Sequence, residues 1–374
     1  MRYLKSEILS VLPRKMVFIG GPRQVGKTTF CLSFLKNSSE FNNPSYLNWD
    51  DLSSRALIKK AELPNDKIVC LDEIHKFKNW RGLVKGLYDT QKSIHQFLIT
   101  GSARLDHYRK GGDSLLGRYR YFRLHPFTLK EMGSYSIDHL QQLLQFGGFP
   151  EPLFLQNEKE LRLWHKERVY RIINDDVRDL ERVREITSIE LLADALPTRV
   201  GTPLSINSLA GDLAAHHQTI EKWIQILERL YFCFRIPPYV APKIRSVKKE
   251  KKLFLWDWSS IESEGLRFEN LVASQLLKYC HFIEDTEGHS MELKYLRDID
   301  QREVDFVVIK NKKPLFAVEC KTGDSEVSRH IEYFSARVPI PKWYQVHCGI
   351  KDRILSEKIR ILPFIQFCKE LDLP

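Results

Sequence analysis

Cysteine is scarce in this chain and follows no ligand spacing. The 374 residues include seven cysteines, and no two of them form a C-x-x-C pair. Most lie in apolar runs, so we expect reduced, buried thiols rather than disulfides or zinc ligands. The sequence also lacks an uncharged apolar run of about 18 residues, and MRYLKSEILS lacks the apolar segment of a signal peptide. We therefore expect a cytoplasmic protein with no membrane partner.

Positive charge is concentrated near one end of the chain. Lysine and arginine outnumber acidic residues two to one in residues 1–125, whereas the two are balanced in residues 126–374. A local basic cluster, KIRSVKKEKK, stands out at 243–252. A phosphate-rich partner would explain the excess, and so would a solvated basic surface. The length is sufficient for roughly two to four globular domains.

The clearest motif is a glycine loop that follows an apolar run. In MVFIGGPRQVGKTTF, residues 21–28 fit the pattern G-x-x-x-x-G-K-[ST]. Backbone amides of such a loop cradle phosphates, Lys27 would reach the β and γ phosphates, and Thr28 would ligate Mg²⁺. The predicted nucleotide-binding residues of the loop are Gly21, Pro22, Arg23, Gln24, Val25, Gly26, Lys27, Thr28 and Thr29.

Two later apolar runs end in polar residues that a nucleotide site needs. KIVCLDEIHK ends in Asp72, which would bind Mg²⁺ through water, and Glu73, which would orient the attacking water. FLITGSA ends in Thr100 and Ser102, where a side chain would sense the γ-phosphate. Open α/β sheets bind ligands at the carboxyl ends of their strands, so ATP and Mg²⁺ are the predicted cofactors. The alternative is three buried strands with incidental polar ends.

An arginine lies in the next segment, LLGRYRYFRLHPF. We expect Arg118 to reach the γ-phosphate of a neighbouring subunit and stabilise charge in the transition state. That role requires a homo-oligomer. Arg118 is equally well explained as one of several surface cations in a segment that also contains Arg120 and Arg123.

These motifs together resemble a known family. GPRQVGKTT, LDEIHK, ITGSA, the LLGR…LHPF block and GGFPE at 147–151 are similar to prokaryotic AAA-type ATPases fused to a C-terminal region of poorly defined function. The resemblance covers nearly the whole chain. It implies an ATP-hydrolysing module and leaves the physiological substrate open.

The middle of the chain changes pattern twice. Residues 126–190 have helical periodicity and are predicted to form a lid and a connector, with GGFPEP as a turn between helices. Residues 191–258 predict a winged helix-turn-helix, with Gln218, Thr219 and Lys222 facing outward for DNA. The basic residues assigned to its wing are Lys243, Arg245, Lys248, Lys249, Lys251 and Lys252.

Packing without DNA is the other explanation of this module. Two strands and a solvated lysine loop need no ligand. The adjacent His216 and His217 would point apart, and no further ligand lies at a suitable spacing, so we do not expect a metal there.

The last segment pairs charges on predicted strands. In AVECKTG, Glu319 and Lys321 would share one face of a strand, and the preceding strand EVDFVVI would bring Asp305 close to them. An amphipathic helix upstream carries Glu269 on its apolar face. The set resembles the PD-(D/E)xK restriction-endonuclease fold, although Val304 replaces the proline that usually precedes the first aspartate.

That resemblance implies roles for the four residues. Glu269 would be the helix carboxylate, Asp305 and Glu319 would be Mg²⁺ ligands, and Lys321 would position or activate the attacking water. A nuclease-like domain that only binds DNA, a simple Glu319–Lys321 ion pair that closes a hairpin, and an unrelated α/β domain remain open.

The sequence therefore predicts an α/β protein of four parts. They are a P-loop AAA-type core (1–125), a helical lid and connector (126–190), a winged helix (191–258) and a restriction-endonuclease-like domain (259–374). We expect ATP hydrolysis to control DNA engagement. The sequence leaves open whether the C-terminal domain also cleaves DNA with Mg²⁺. The rival functions are a nucleotide-gated switch that holds protein partners, and a nuclease that uses ATP only for assembly.

Overall fold

The computed structural model describes residues 2–36, 42–101, 115–177, 186–241 and 250–374, without the side chains of Asp175 and Asp176. The chain divides into two compact units, Met1–His125 and Pro126–Pro374. Across these described ranges, no helix is both long enough and apolar enough to cross a bilayer.

The first unit is built around a parallel sheet. Its elements are α1 (Lys5–Val11), β1 (Met16–Gly20), α2 (Lys27–Leu32), β2 (Tyr46–Asn48), α3 (Leu52–Lys60), β3 (Ile68–Asp72), α4 (Trp80–Gln91), β4 (Gln96–Thr100) and β5 (Tyr119–Arg123). The described strands lie in the order β2-β3-β4-β1-β5, and every pairing is parallel. The predicted α/β class with a parallel sheet is confirmed for this unit.

Both faces of this sheet are buried, which explains its apolar strands. Residues of β1, β3 and β4 pack on one side against Trp80, Val84 and Leu87 of α4. The three runs predicted as strands from their apolar character are β1, β3 and β4, and they are direct neighbours in the sheet. Their carboxyl ends therefore meet at one edge.

The second unit begins with helices. Its first elements are α5 (Ile137–Phe146), α6 (Pro150–Leu155), α7 (Glu158–Arg171), α8 (Ile186–Ala195), α9 (Ile206–Asp212), α10 (His217–Arg229), β6 (Cys233–Ile236) and β7 (Lys252–Leu255). A π-helical turn at Ile172–Val177 follows α7. Helical periodicity was predicted across residues 126–190, but the first helix of this region begins only at Ile137, because Gly133 has a φ of +91° and the Ser136 side chain caps the helix.

Helices α9 and α10 form a short pair next to an antiparallel hairpin of β6 and β7. The predicted apolar stripe of α10 is buried and includes Ile220, Trp223 and Leu227. Gln218 and Lys222 lie exposed near its start. These local elements agree with the sequence pattern, while their assignment as a winged helix remains a prediction.

A mixed sheet fills the rest of the second unit. Its elements are α11 (Glu264–Glu287), β8 (Met291–Arg297), β9 (Glu303–Lys310), β10 (Lys313–Lys321), α12 (Arg329–Ser335), β11 (Lys342–His347), β12 (Arg353–Ile354), β13 (Ile359–Pro363) and α13 (Phe364–Glu370). The described strands lie in the order β12-β13-β11-β10-β9-β8. Strands β9 and β10 form the predicted antiparallel hairpin, which turns at Asn311 and Lys312, both with positive φ.

The two glycines of GGFPE form a tight turn inside the second unit, and its Pro150 and Glu151 begin α6. Gly147 has a φ of +75° and ends α5. The Gly148 carbonyl accepts a hydrogen bond from the Phe127 amide at 2.7 Å. A Cβ at Gly148 would lie 2.6 Å from Cη2 of Trp258 and 2.8 Å from Cβ of Pro126. The second glycine is therefore fixed by close packing.

We expect Gly148→Ala to destabilise the second unit by roughly 1–3 kcal/mol, the usual cost of overpacking a filled site. Gly211→Ala is the matched control, because a Cβ there meets nothing within 4 Å and the site lies in helix α9. The control should leave the thermal unfolding midpoint unchanged or raise it slightly. Equal midpoints for the two variants would refute the packing argument.

Candidate nucleotide and carboxylate sites

The glycine loop joins β1 to α2 with a backbone that needs glycine. Gly21 has a φ of +138°, and a Cβ there would lie 2.3 Å from the carbonyl oxygen of Leu124. Gly26 has a φ of +90° and immediately precedes α2. Lys27 is buried, and its Nζ donates to the carbonyl oxygens of Gly21 and Pro22 at 3.0 and 2.7 Å. The lysine thus closes across its own loop.

Asp72 collects hydrogen bonds from three neighbouring elements. Its Oδ2 accepts from Thr28 Oγ1 at 2.9 Å and from Tyr46 Oη at 2.6 Å. Its Oδ1 accepts from the hydroxyl of Thr100 and from the Glu73 amide. Burial and the nearby carboxylate raise the pKa of Tyr46, so the phenol stays protonated and donates. The structure brings together Thr28, Asp72 and Thr100, as their predicted roles require.

Glu73 follows Asp72 in a left-handed backbone conformation, with a φ of +56°. Its Oε2 lies 3.6 Å from His75 Nε2 and 3.6 Å from Lys76 Nζ. Burial and then Asp72 raise the pKa of Glu73, whereas Lys76 lowers it. A carboxylate whose pKa is raised in this way suits a general base. The other expected sensor, Ser102, lies outside the described residues.

The loop and its surroundings fit a nucleotide with Mg²⁺. Thr28 and Asp72 supply adjacent hard oxygen atoms, which is the donor type that Mg²⁺ prefers. The Oε1 atom of Gln24 is buried and has no hydrogen-bond partner among the described residues. In the same loop Val25 is fully buried, Arg23 is half-buried and Thr29 is exposed. Contacts of these residues with a nucleotide remain predictions.

Arg118 lies at the other end of the sheet. Its carbonyl accepts from the Met16 amide at the start of β1, whereas the glycine loop follows the end of β1. The guanidinium binds Asp89 of α4 through Nε at 2.9 Å and through Nη2 at 3.1 Å. A role for Arg118 in hydrolysis would thus have to involve another subunit, and it remains a prediction.

A second cluster of charges surrounds Lys252 in the second unit. The lysine side chain is 1% exposed, and its Nζ forms an ion pair with Glu303 Oε1. Glu269 Oε1 of α11 lies 3.3 Å from the same Nζ, and Asp305 Oδ1 of β9 lies 3.7 Å away. Two of the four residues predicted for the nuclease-like site therefore meet at a lysine.

Lys252 corrects one prediction. It was assigned to an exposed basic wing, but it is buried at the first position of β7 because three carboxylates surround its ammonium group. Lys251 is exposed, as expected, whereas Lys243, Arg245, Lys248 and Lys249 lie outside the described residues.

Glu319 and Lys321 form an ion pair on the next strand. Lys321 Nζ lies 2.9 Å from Glu319 Oε1, which also accepts from the hydroxyl of Ser328 at 3.3 Å. The other oxygen, Oε2, is buried without a hydrogen-bond partner within the described ranges. Asp305 Oδ2 accepts from the Cys320 amide at 2.8 Å, which ties β9 to β10 at this point. Lys321 is 40% exposed, so the pair opens to solvent on the cation's side.

Burial, together with neighbouring negative charge, perturbs these acids. Burial first and Asp305 second raise the pKa of both Glu269 and Glu319 to about 8. Burial also raises the pKa of Asp305, although Lys252 opposes this shift. Burial lowers the pKa of Lys252, but Glu269, Asp305 and Glu303 outweigh it and raise the value overall. We infer that the lysine stays charged while the surrounding carboxyls share at least one proton.

This arrangement does not fit a preformed divalent-metal site. In the part of the chain that the structure describes, no group of three or more His, Cys, Asp or Glu side chains could hold a metal ion. The ammonium of Lys252 lies between Glu269 and Asp305, where their oxygens would otherwise face a cation. The roles of Asp305 and Glu319 as Mg²⁺ ligands, and those of Glu269 and Lys321 in catalysis, remain predictions.

Sequence reasoning missed Glu303 and Tyr46. Glu303 lies two residues before Asp305 on β9, so alternation along the strand could have identified it as a neighbour on the same face. The pairing of β8 with β9 changes register close to Glu303. At this irregularity β9 has one more residue than β8, next to Asp305. Tyr46 offered no signal, because β2 is only three residues long.

Comparison with known families assigns the first part of the chain. Residues 13–133 match the family model of an AAA domain. Residues 137–262 and 264–367 match two domains of unknown function (DUF8612 and DUF4143). The chain therefore contains an AAA-type ATPase domain of the P-loop class, and this confirms the coarser part of the resemblance.

Two individual proteins that are similar to this chain are both uncharacterized. An uncharacterized protein of Methanocaldococcus jannaschii is 24% identical over 96% of this chain and 89% of its own length. An uncharacterized protein of Mycobacterium tuberculosis is 22% identical, and the match spans 65% of this chain but only 54% of that protein.

Two solved structures are more distantly similar. The Thermotoga maritima RuvB Holliday junction branch migration motor is 18% identical, with a TM-score of 0.32, over 63% of this chain and 87% of that one. The Aeropyrum pernix ORC1 protein in complex with DNA is 13% identical, with a TM-score of 0.35, over 69% of this chain and 90% of that one. At such scores the likeness carries no argument about function.

The buried Glu319 predicts a pH dependence. The folded protein raises the pKa of Glu319 from 4.5 to about 8, so the folded state holds this proton more tightly than the unfolded chain. Its contribution to stability is complete below pH 4.5 and is lost as the pH rises towards about 8. Between pH 4.5 and about 8, the urea unfolding midpoint should fall less in Glu319→Gln than in wild type.

Glu292→Gln is the matched control for this measurement. Glu292 forms the same Glu-x-Lys pair with Lys294 at 2.6 Å, but its side chain is 41% exposed, against 6% for Glu319. The control should keep the wild-type dependence on pH. If Glu319→Gln followed the wild-type curve, burial of an ionisable carboxyl at this position would be the wrong explanation.

Proposed function

We propose that this chain is an ATP-hydrolysing AAA-type protein whose nucleotide state controls the engagement of DNA by its C-terminal unit. The observation that carries the ATPase part is the hydrogen-bonded group of Thr28, Asp72 and Thr100 beside the glycine loop. These residues belong to three different elements, and the AAA domain match covers all of them.

The glycine loop and the residues around it divide the tasks of ATP hydrolysis. The loop amides and Lys27 bind the phosphates, Thr28 and Asp72 hold Mg²⁺, and Glu73 orients water and accepts its proton. Bound Mg²⁺ would neutralise charge on the β and γ phosphates. The raised pKa of Glu73 favours proton uptake by this carboxylate. Thr100 holds Asp72 through the hydroxyl hydrogen bond.

We expect Lys27→Ala to abolish phosphate release from ATP, because Lys27 is the loop cation assigned to the β and γ phosphates. Glu73→Gln should keep ATP binding but lower hydrolysis by about 100-fold or more. Lys60→Ala, at the exposed end of α3, is the charge-matched control and should behave as wild type. Mg²⁺-dependent turnover by a clean Lys27→Ala preparation would refute the assignment.

Support for DNA engagement comes from the surface around α10. His217 and Gln218 are exposed at its start, and Lys222 is exposed one turn later. The acidic residues of this helix are occupied, because Arg235 of β6 binds Glu221 at 2.8 Å and Glu228 at 2.8 Å. In the sequence, the basic residues 243–251 come between β6 and β7. An exposed polar helix start and a basic segment in the same unit suit a phosphate backbone.

DNA cleavage is not part of this proposal, since Lys252 lies between Glu269 and Asp305, two residues of the predicted nuclease-like site. The competing function is a nucleotide-gated switch that binds protein partners through the same unit. Nucleotide-dependent affinity for duplex DNA would favour the first function, and its absence would favour the second.

We expect DNA affinity to fall when Lys248, Lys249 and Lys251 are replaced by glutamine. The slope of log K against log salt should decrease by about 0.9 for each phosphate contact removed. A control with the same loss of charge is Lys351, Lys358 and Lys369→Gln, three exposed lysines of the same unit. Equal slopes for the two triple variants, measured by fluorescence anisotropy, would exclude the loop as a DNA contact.

A further inference from the structure

Lys252 is held in place by its backbone as well as by its charge. The chain on one side of β7 forms hydrogen bonds from the Leu204 amide to the Lys251 carbonyl at 2.9 Å and from the Gly201 amide to the Leu253 carbonyl at 3.0 Å. On the other side, β6 pairs with β7 and places Ile236 opposite Lys252. The lysine therefore occupies a central position between two backbone segments.

Side chains of the C-terminal sheet fix the same position. Asn270 of α11 exchanges two hydrogen bonds with the backbone of Leu255, at 2.8 and 2.7 Å. Tyr295 of β8 donates its hydroxyl hydrogen to the Glu250 carbonyl at 2.6 Å, and its ring lies 5.5 Å from Lys252 Nζ. These contacts attach the two ends of β7 to α11, which carries Glu269, and to β8, which pairs with the strand that carries Glu303 and Asp305. The ammonium is therefore positioned by the fold and does not reach in from a solvated loop.

The ammonium of Lys252 leaves no room for a second cation at the same carboxylate oxygens. Lys252 Nζ is in ion-pair contact with Glu303 and lies within 3.7 Å of oxygens from Glu269 and Asp305. A divalent ion that bound the same oxygens would lie close to the ammonium, and like charges at such a distance repel strongly in a buried environment. The lysine is 1% exposed, so it cannot turn out to solvent without moving β7.

We propose that Lys252 is the resident cation of this carboxylate cluster and occupies the position between Glu269 and Asp305 that a divalent ion would otherwise take. The native C-terminal unit then binds no divalent ion at Glu269 and Asp305. Removal of the ammonium, while the carboxylates stay, creates a divalent-cation site. This inference is independent of the proposed function, because neither nucleotide nor DNA enters it.

The test measures Mn²⁺ binding to the full-length protein without nucleotide, from the loss of the free-ion signal in electron paramagnetic resonance. Wild type, Lys252→Met and the double variant Lys252→Met with Asp305→Asn are compared. We expect Lys252→Met to bind one more Mn²⁺ than wild type, about tenfold more tightly or better than any background site. The double variant should lose this site. Mn²⁺ should also raise the thermal midpoint of Lys252→Met more than that of wild type.

Lys278→Met is the matched control. Lys278 is equally buried in the same unit and pairs with the carboxylate of Glu131. This variant also removes a buried ammonium, but no Mn²⁺ site should appear, because the described ion pair of Lys278 supplies one carboxylate whereas those of Lys252 supply three. A gain equal to that of Lys252→Met would show that any buried lysine loss creates weak binding, and would overturn the proposal.

Two further results would also overturn it. One is a Mn²⁺ ion bound by wild type and lost in Asp305→Asn, since the native cluster would then hold a metal beside the lysine. The other is a folded Lys252→Met that gains no site. If Lys252→Met does not fold, Lys252→Gln replaces it, and the comparison of wild type with Asp305→Asn decides the native state by itself.

Discussion

A buried ammonium group organises the C-terminal unit. Loss of one partner from a buried ion pair typically costs about 3–5 kcal/mol, so Lys252 requires its carboxylates to stay in place. Those carboxylates come from α11 and β9, while the lysine comes from β7. Three separate elements are therefore held at one point. The hairpin of β6 and β7 belongs, in energetic terms, to the same cooperative structure as the C-terminal sheet.

Asp72 has the equivalent position in the first unit, with the charge reversed. One carboxylate accepts hydrogen bonds from Thr28 on α2, Tyr46 on β2 and Thr100 on β4. Hydrogen bonds to a charged group are stronger than neutral ones, and burial makes their loss more costly. The residues that would hold Mg²⁺ are thus the residues that align the strand ends. A substitution of Asp72 or of its hydrogen-bond donors would therefore change the catalytic geometry and the stability of the first unit together.

Prediction from sequence succeeded where a short pattern fixes a local structure. The glycine loop, the apolar strands β1, β3 and β4, and the hairpin that carries Asp305 and Glu319 were all read from spacing and alternation. Lys252 was misread because its neighbours in KKEKK are charged and only the tertiary pairing of β7 shows which lysine turns inward. The same alternation rule could have identified Glu303. Tyr46 was not, since its role depends on a carboxylate 26 positions away.

The hairpin turn at Asn311 and Lys312 also limits how this protein can vary. Strand β10 pairs with β9 on one side and with β11 on the other, in fixed register. Side chains alternate along a strand, so one inserted residue in the turn would exchange the faces of Val318 and Glu319. The carboxylate would enter the apolar layer, and the valine would take its place beside Asp305. If the hairpin kept its two-residue turn, a slip of one residue in this register would therefore invert the strand.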